Sequence, residues 1–138
     1  MKKIVLISCV SKKKPHTAKA EDLYISPLFR LNLQYAKSLK PDSIFILSAK
    51  YGLLELDQEI MPYDVTLNDM PSAQVKAWAE KLIEQLRKQA DLQHDQFIFL
   101  AGERYRKYLT PYLTFYLIPL QGLTIGKQLH YLTTRLHE

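Results

Sequence analysis

Several short polar segments of this chain carry side chains suited to chemistry, and each follows an apolar run. Cys9, Ser11, Lys12, Lys13 and Lys14 come after Ile4 to Ile7. Ser48, Lys50 and Tyr51 come after Ile44 to Leu47, with Gly52 behind them. Gly102, Glu103, Arg104, Tyr105 and Arg106 follow Gln96 to Ala101, and Gln121, Gly122, Thr124 and Lys127 follow Thr114 to Ile118. Cations, hydroxyls, glycine turns and helix N-termini gathered in one place suit phosphate. Tyrosines beside them can stack on bases. Lys50 is the sharpest case, because a lysine is costly to bury unless it is paired or deprotonated. It either reaches solvent or is held for a ligand, with Tyr51 shaping the site or covering the core. Cys9 is a nucleophile candidate if Lys12 and Lys13 lower its pKa; the alternative is an inert, small buried thiol. Acid–base candidates are few: Asp22, Asp57, Glu59, Asp64 and Glu103. Asp64, in Met61-Pro62-Tyr63-Asp64, closes a long loop and equally suits a turn cap.

Those residues need elements to position them. A first strand runs from Lys3 to Ser8. Ser26-Pro27 starts a helix, with serine at the N-cap and proline at N1. Leu28, Leu31, Tyr35, Ala36 and Leu39 recur at helical spacing, and Lys40-Pro41-Asp42 stops that helix. The second strand is Ser43 to Leu47, and a loop without an obvious helix follows, down to Met70. The next helix, about Pro71 to Ala90, carries Val75, Trp78, Ala79, Leu82 and Leu86 on one stripe. The third strand spans Gln96 to Ala101, a short helix is broken near Pro111, the fourth strand is Thr114 to Ile118, and a last helix runs from about Gly126 to Leu136. Strands alternating with helices predict an α/β fold in one domain, residues 1–138. The expected architecture is three-layer α/β/α with a four-stranded parallel sheet in the order 2-1-3-4. In such a sheet the four polar segments lie on one carboxyl edge, where ligands bind. Asp42, Asp91, His94 and Asp95 mark the other edge. A solvated, lysine-rich surface is the plain alternative.

Composition narrows the classes. The 138 residues are 47% hydrophobic, enough for a core, and no apolar run approaches the roughly 20 residues of a membrane span. The single cysteine excludes an internal disulfide and fits a reducing cytoplasm. No His/Cys spacing suits a metal, and Gly126-Lys127-Gln128 is no phosphate-loop motif, so neither metal nor cofactor is expected. A net charge of +5 points to an anionic partner.

The segments Ile7-Ser8-Cys9-x-Ser11-Lys12-Lys13, Asp22-Leu23-Tyr24-x-Ser26-x-x-Phe29, Leu47-Ser48-Ala49-Lys50-Tyr51-Gly52-Leu53 and Pro62-Tyr63-Asp64-x-Thr66-Leu67 carry a resemblance. So do Gly102-x-x-Tyr105 and Pro119-Leu120-x-Gly122-Leu123-x-Ile125-Gly126. Together they resemble a family of small bacterial and phage proteins, a domain of unknown function, often labelled similar to the peroxide stress protein YaaA. That resemblance implies DNA binding and an oxidative-stress role. A second, fold-level similarity is to uracil-DNA-glycosylase-like domains, which implies a ligand edge built from the loops after strands one and four. The reading is a cytoplasmic α/β protein binding a nucleotide, nucleobase or nucleic acid. Lys12, Lys13 and Lys50 hold phosphate, Ser11 and Ser48 make hydrogen bonds, and Tyr51 or Tyr105 stacks. Tyr63, Gly102 and Gly122 complete the ligand-binding set. One rival is an enzyme that cleaves or exchanges an N-glycosidic bond, with Asp22 or Asp64 as acid–base and Cys9 or Lys50 as nucleophile. Another is an adaptor that binds a protein on the exposed face of the Pro71 helix.

Overall fold

The computed structural model describes residues 1–137. Ile4 to Ile7, Phe45 to Ser48 and Phe97 to Leu100 are buried without alternation, so each forms a strand covered on both faces. In chain order the strands are β1 (Lys3–Ser8), β2 (Ala18–Lys19), β3 (Ser43–Ser48), β4 (Gly52–Glu55), β5 (Glu59–Ile60), β6 (Gln96–Leu100) and β7 (Phe115–Leu117). The helices are α1 (Ala20–Leu23), α2 (Pro27–Ser38), α3 (Ser72–Arg87), α4 (Glu103–Arg106) and α5 (Ile125–Leu136). The central sheet is five-stranded, in the order β4-β3-β1-β6-β7. The β3–β1, β1–β6 and β6–β7 pairs are parallel, with Leu6 of β1 level with both Phe45 and Phe99.

This corrects the four-stranded, wholly parallel sheet. The fifth strand, β4, turns back antiparallel on β3 through Ala49-Lys50-Tyr51. The segment expected to be an unstructured loop therefore supplies an edge strand. Beyond it, β5 pairs antiparallel with β2 in a two-stranded ribbon, and a 3-10 turn forms at Leu67–Asp69. The chain from β1 to β3 crosses the sheet in one direction and from β3 to β6 in the other. Right-handed crossovers then place α2 and α3 on opposite faces. α2 packs on β1 and against α5, whereas α3 packs against β4 and α4. Ser26 caps α2 as its sequence predicts, its Oγ accepting from the Phe29 N–H at 3.1 Å. The buried face of α2 is Phe29, Asn32, Leu33 and Ala36. The sequence-expected stripe is thus offset, sharing only Ala36.

The amino edge is held by aspartates. Asp42 accepts from the Lys3 N–H at 2.7 Å, and Asp95 accepts from the N–H groups of Lys2 and Asp91, each at 2.8 Å. Burial pushes the Asp95 carboxyl up, but these two backbone donors win and hold it below the usual range. No helix among the described residues is long and apolar enough to cross a membrane.

Gly52, the first residue of β4, has φ +76°, and a Cβ there would run into the Gln85 amide. That amide accepts from the Leu53 N–H at 3.0 Å, tying β4 to α3. Gly52→Ala is therefore expected to destabilise by about 2 kcal/mol, from left-handed backbone strain plus a displaced hydrogen bond. A urea midpoint unchanged from wild type would show that the turn tolerates a side chain.

Candidate functional site

Where the carboxyl ends of β1, β6 and β7 meet, they border a cleft of 670 Å³. It lies where an open α/β sheet places ligands, and its size is that of small-molecule sites. The loop after β1 contributes Cys9, Ser11 and Lys13. The segment before α3 contributes Asp64, Thr66 and Asn68. Gly102, Glu103, Arg104, Tyr105 and Arg106 come from the start of α4, and Gln121, Gly122 and Leu123 from the loop into α5. From beneath, α2 adds Leu28 and Asn32.

One wall is a network of phenols, a hydroxyl and a thiol. Ser48 is fully buried at the end of β3, and its Oγ donates to the Tyr63 hydroxyl at 2.8 Å. Tyr63 and Tyr24 share a hydroxyl–hydroxyl bond of 2.6 Å. The Cys9 thiol donates to the Tyr105 hydroxyl at 3.4 Å, and the Trp78 indole N–H donates to the Ser48 carbonyl at 2.9 Å. Burial pushes the Tyr24, Tyr63 and Tyr105 phenols well above their ordinary value, and the nearby Cys9, which would repel a phenolate once ionised, adds to it.

Lys13 crosses the front of this wall. Its Nζ lies 4.3 Å from the centre of the Tyr63 ring and 5.8 Å from that of Tyr24, and donates to the Ser11 carbonyl at 3.3 Å. Partial burial lowers its pKa, with Cys9 and Asp64 pulling it back up. Among the described residues no carboxylate forms an ion pair with it.

The proposed residues thus divide. Cys9, Ser11, Lys13, Asp64, Gly102, Tyr105 and Gly122 line the cleft. Ser48 and Tyr63 stand behind them in the network. Lys12 and Lys50 are exposed and do not line it, and Lys50 instead lies 5.3 Å from the Tyr51 ring. Tyr51 packs edge-on against Tyr63 at 5.5 Å and donates to the Met61 carbonyl at 3.4 Å, so it supports the wall rather than facing the cleft. Asp22, half-buried on α1, is also not among the lining residues. Sequence reasoning missed Asn32 and Tyr24. A polar residue in phase with the apolar positions Phe29, Leu33 and Ala36 was the signal for Asn32. Arg104 was read as part of the basic edge. Its guanidinium instead donates to the carbonyls of Leu67, at 2.9 Å, and Met70, strapping the segment before α3 to α4. Among the described residues no group of His, Cys, Asp or Glu side chains is placed to hold a metal ion.

Fold and cleft together define an α/β protein with a mostly parallel mixed sheet and a cleft of mixed polar and apolar lining at its carboxyl edge. The chain belongs to a family of unknown function, DUF6884, whose model matches residues 4–134. The "Uncharacterized protein YfjM" of Bacillus subtilis (strain 168) is 32% identical over 117 residues, covering 79% of this chain and 75% of that protein. No solved structure matches the chain.

Proposed function

We propose that the cleft binds a nucleotide, with Lys13 at its phosphate. The observation that carries this is the state of Lys13. It is half-buried, its pKa lowered by desolvation, and it lines a ligand-sized cleft with no carboxylate among the described residues paired to it. An anionic ligand beside it would favour the charged form and raise its pKa. Ser11 and the backbone at Gly102 and Gly122 add hydrogen-bonding groups to the same space. The motif resemblance to YaaA-labelled proteins implies a nucleic-acid ligand, and the fold-level analogy to uracil-DNA-glycosylase-like domains implies one at this sheet edge. The cleft's volume favours a single nucleotide over a polymer groove.

The test is calorimetric titration with nucleoside 5′-monophosphates and a short single-stranded oligonucleotide. Lys13→Met should weaken monophosphate binding by about 10- to 100-fold, the scale of a hydrogen bond to a charged group. The exposed Lys12→Met should leave it unchanged. Wild-type binding should weaken as salt rises, and Lys13→Met should flatten that dependence. Equal affinity in wild type and Lys13→Met, or no binding by wild type, would overturn the proposal.

The presence of Asp64 and Cys9 in the same cleft favours a second reading, cleavage or exchange of an N-glycosidic bond with Asp64 as acid–base. Release of free base from a nucleotide, abolished in Asp64→Asn with binding retained, would support it.

A further inference from the structure

Asn32 is a buried amide, 6% exposed, in the apolar face of α2 between Phe29, Leu33 and Ala36. It lines the cleft floor, and its Oδ1 is buried with no hydrogen-bond donor of the protein in reach. Buried polar side-chain atoms are nearly always paired, and an orphan of this kind is destabilising. Packing alone would place a leucine there. Such local conflicts concentrate where a protein trades stability for function.

The chemistry of the amide narrows what would satisfy it. Oδ1 needs an N–H or O–H donor, and the neighbouring Nδ2 needs an acceptor. A phosphate or carboxylate offers acceptors alone and leaves Oδ1 unpaired. The edge of a nucleobase offers an N–H beside a ring nitrogen or carbonyl in one plane, and side-chain amides pair with such edges in two parallel hydrogen bonds. Leu28, Ile118, Leu120 and Leu123 line the same cleft as Asn32, and so do Ser11 and Lys13. The cleft therefore offers apolar surface for a base and an ammonium for a phosphate.

We infer that Asn32 reads the donor–acceptor edge of a nucleobase in the cleft, with the ligand's phosphate at Lys13. This rests on the nucleotide reading above and adds the ligand's orientation and the residue that recognises its base.

The experiment titrates the four common ribonucleoside 5′-monophosphates, and ribose 5-phosphate as a base-less control, into wild type, Asn32→Leu and Asn32→Ala, with thermal melts of each. Wild type should bind at least one monophosphate at least tenfold more tightly than ribose 5-phosphate. Asn32→Leu should erase that preference, leave ribose 5-phosphate affinity unchanged and melt no lower than wild type, since a buried orphan is gone. Asn32→Ala, which opens space without breaking the helix, should erase the preference too if the leucine variant fails to fold. Retention of the preference in either folded variant would overturn the inference while leaving the nucleotide reading intact. A lower melting temperature in Asn32→Leu would overturn the orphan argument. No binding of any probe by wild type would overturn both readings.

Discussion

Above pH 10 the protein should lose stability steeply. Tyr24 and Tyr105 are almost wholly buried, and Tyr63 sits between Tyr24 and Ser48. Burial raises all three phenols far above the ordinary value of 10.0. A group whose folded pKa is raised contributes stability that is complete below the unfolded value and is lost as pH climbs from there toward the folded value. Each tyrosine then removes about 1.4 kcal/mol per pH unit, so three remove about 4 kcal/mol per unit. Lys13 works the other way. Its lowered pKa means that the folded protein prefers the neutral amine, so its share rises with pH up to its ordinary value of 10.5 and offsets part of the loss. Urea midpoints measured in half-unit steps from pH 8 to 11 should fall away beyond 10, with phenolate absorbance appearing as the chain unfolds. Tyr63→Phe should be less stable at pH 8, because Tyr24 and Ser48 lose a shared partner. Its decline above pH 10 should nevertheless be shallower. A phenolate signal near pH 10 in the folded protein that is diminished by Tyr24→Phe, Tyr63→Phe or Tyr105→Phe would refute the buried network.

The same network shows what the residue order could and could not disclose. β1, β3 and β6 were legible because their apolar residues face both ways, a pattern that only a doubly covered strand needs. β4, β5 and β2 were not, because two to four residues carry no period. The phase of α2 went astray for a definable reason. The helix has two apolar flanks, one toward β1 and one toward α5, where the Tyr35 and Tyr131 rings meet at 6.2 Å. Leu28, Leu31 and Tyr35 are only half-buried, and their stripe masked the fully buried one containing Asn32. Strand-end reasoning places Cys9, Ser11, Lys13, Gly102, Tyr105 and Gly122 on one sheet edge, and all six line the cleft there. Lys12 and Lys50 follow strands of the same sheet but are exposed and lie outside its lining. Strand-end reasoning also misread Arg104, whose charge looked available for a ligand while its donors serve the backbone.

That misreading carries the second large effect. Arg104 reaches from α4 across to two carbonyls of the 3-10 turn, Leu67 and Met70. Leu67 is fully buried, and its N–H also meets the Tyr105 hydroxyl at 3.5 Å. The turn holding Thr66 and Asn68 against the cleft is therefore held by one guanidinium and one phenol, both from α4. Each charge-assisted hydrogen bond contributes about 1.5–3 kcal/mol, and Arg104 is half-buried, so Arg104→Ala should destabilise by about 3 kcal/mol. Arg104→Lys should recover little of this, because one ammonium does not reproduce a planar fork spanning two carbonyls. The effect should also be local. Amide exchange should accelerate from Asp64 to Met70, while β1, β3 and β6 keep their relative protection. Nucleotide binding should weaken as that wall loosens, although Arg104 itself is committed to the backbone. If instead Arg104→Ala left stability and exchange unchanged and weakened only the binding of phosphate-bearing probes, the guanidinium would be a ligand group and the strap would be wrong.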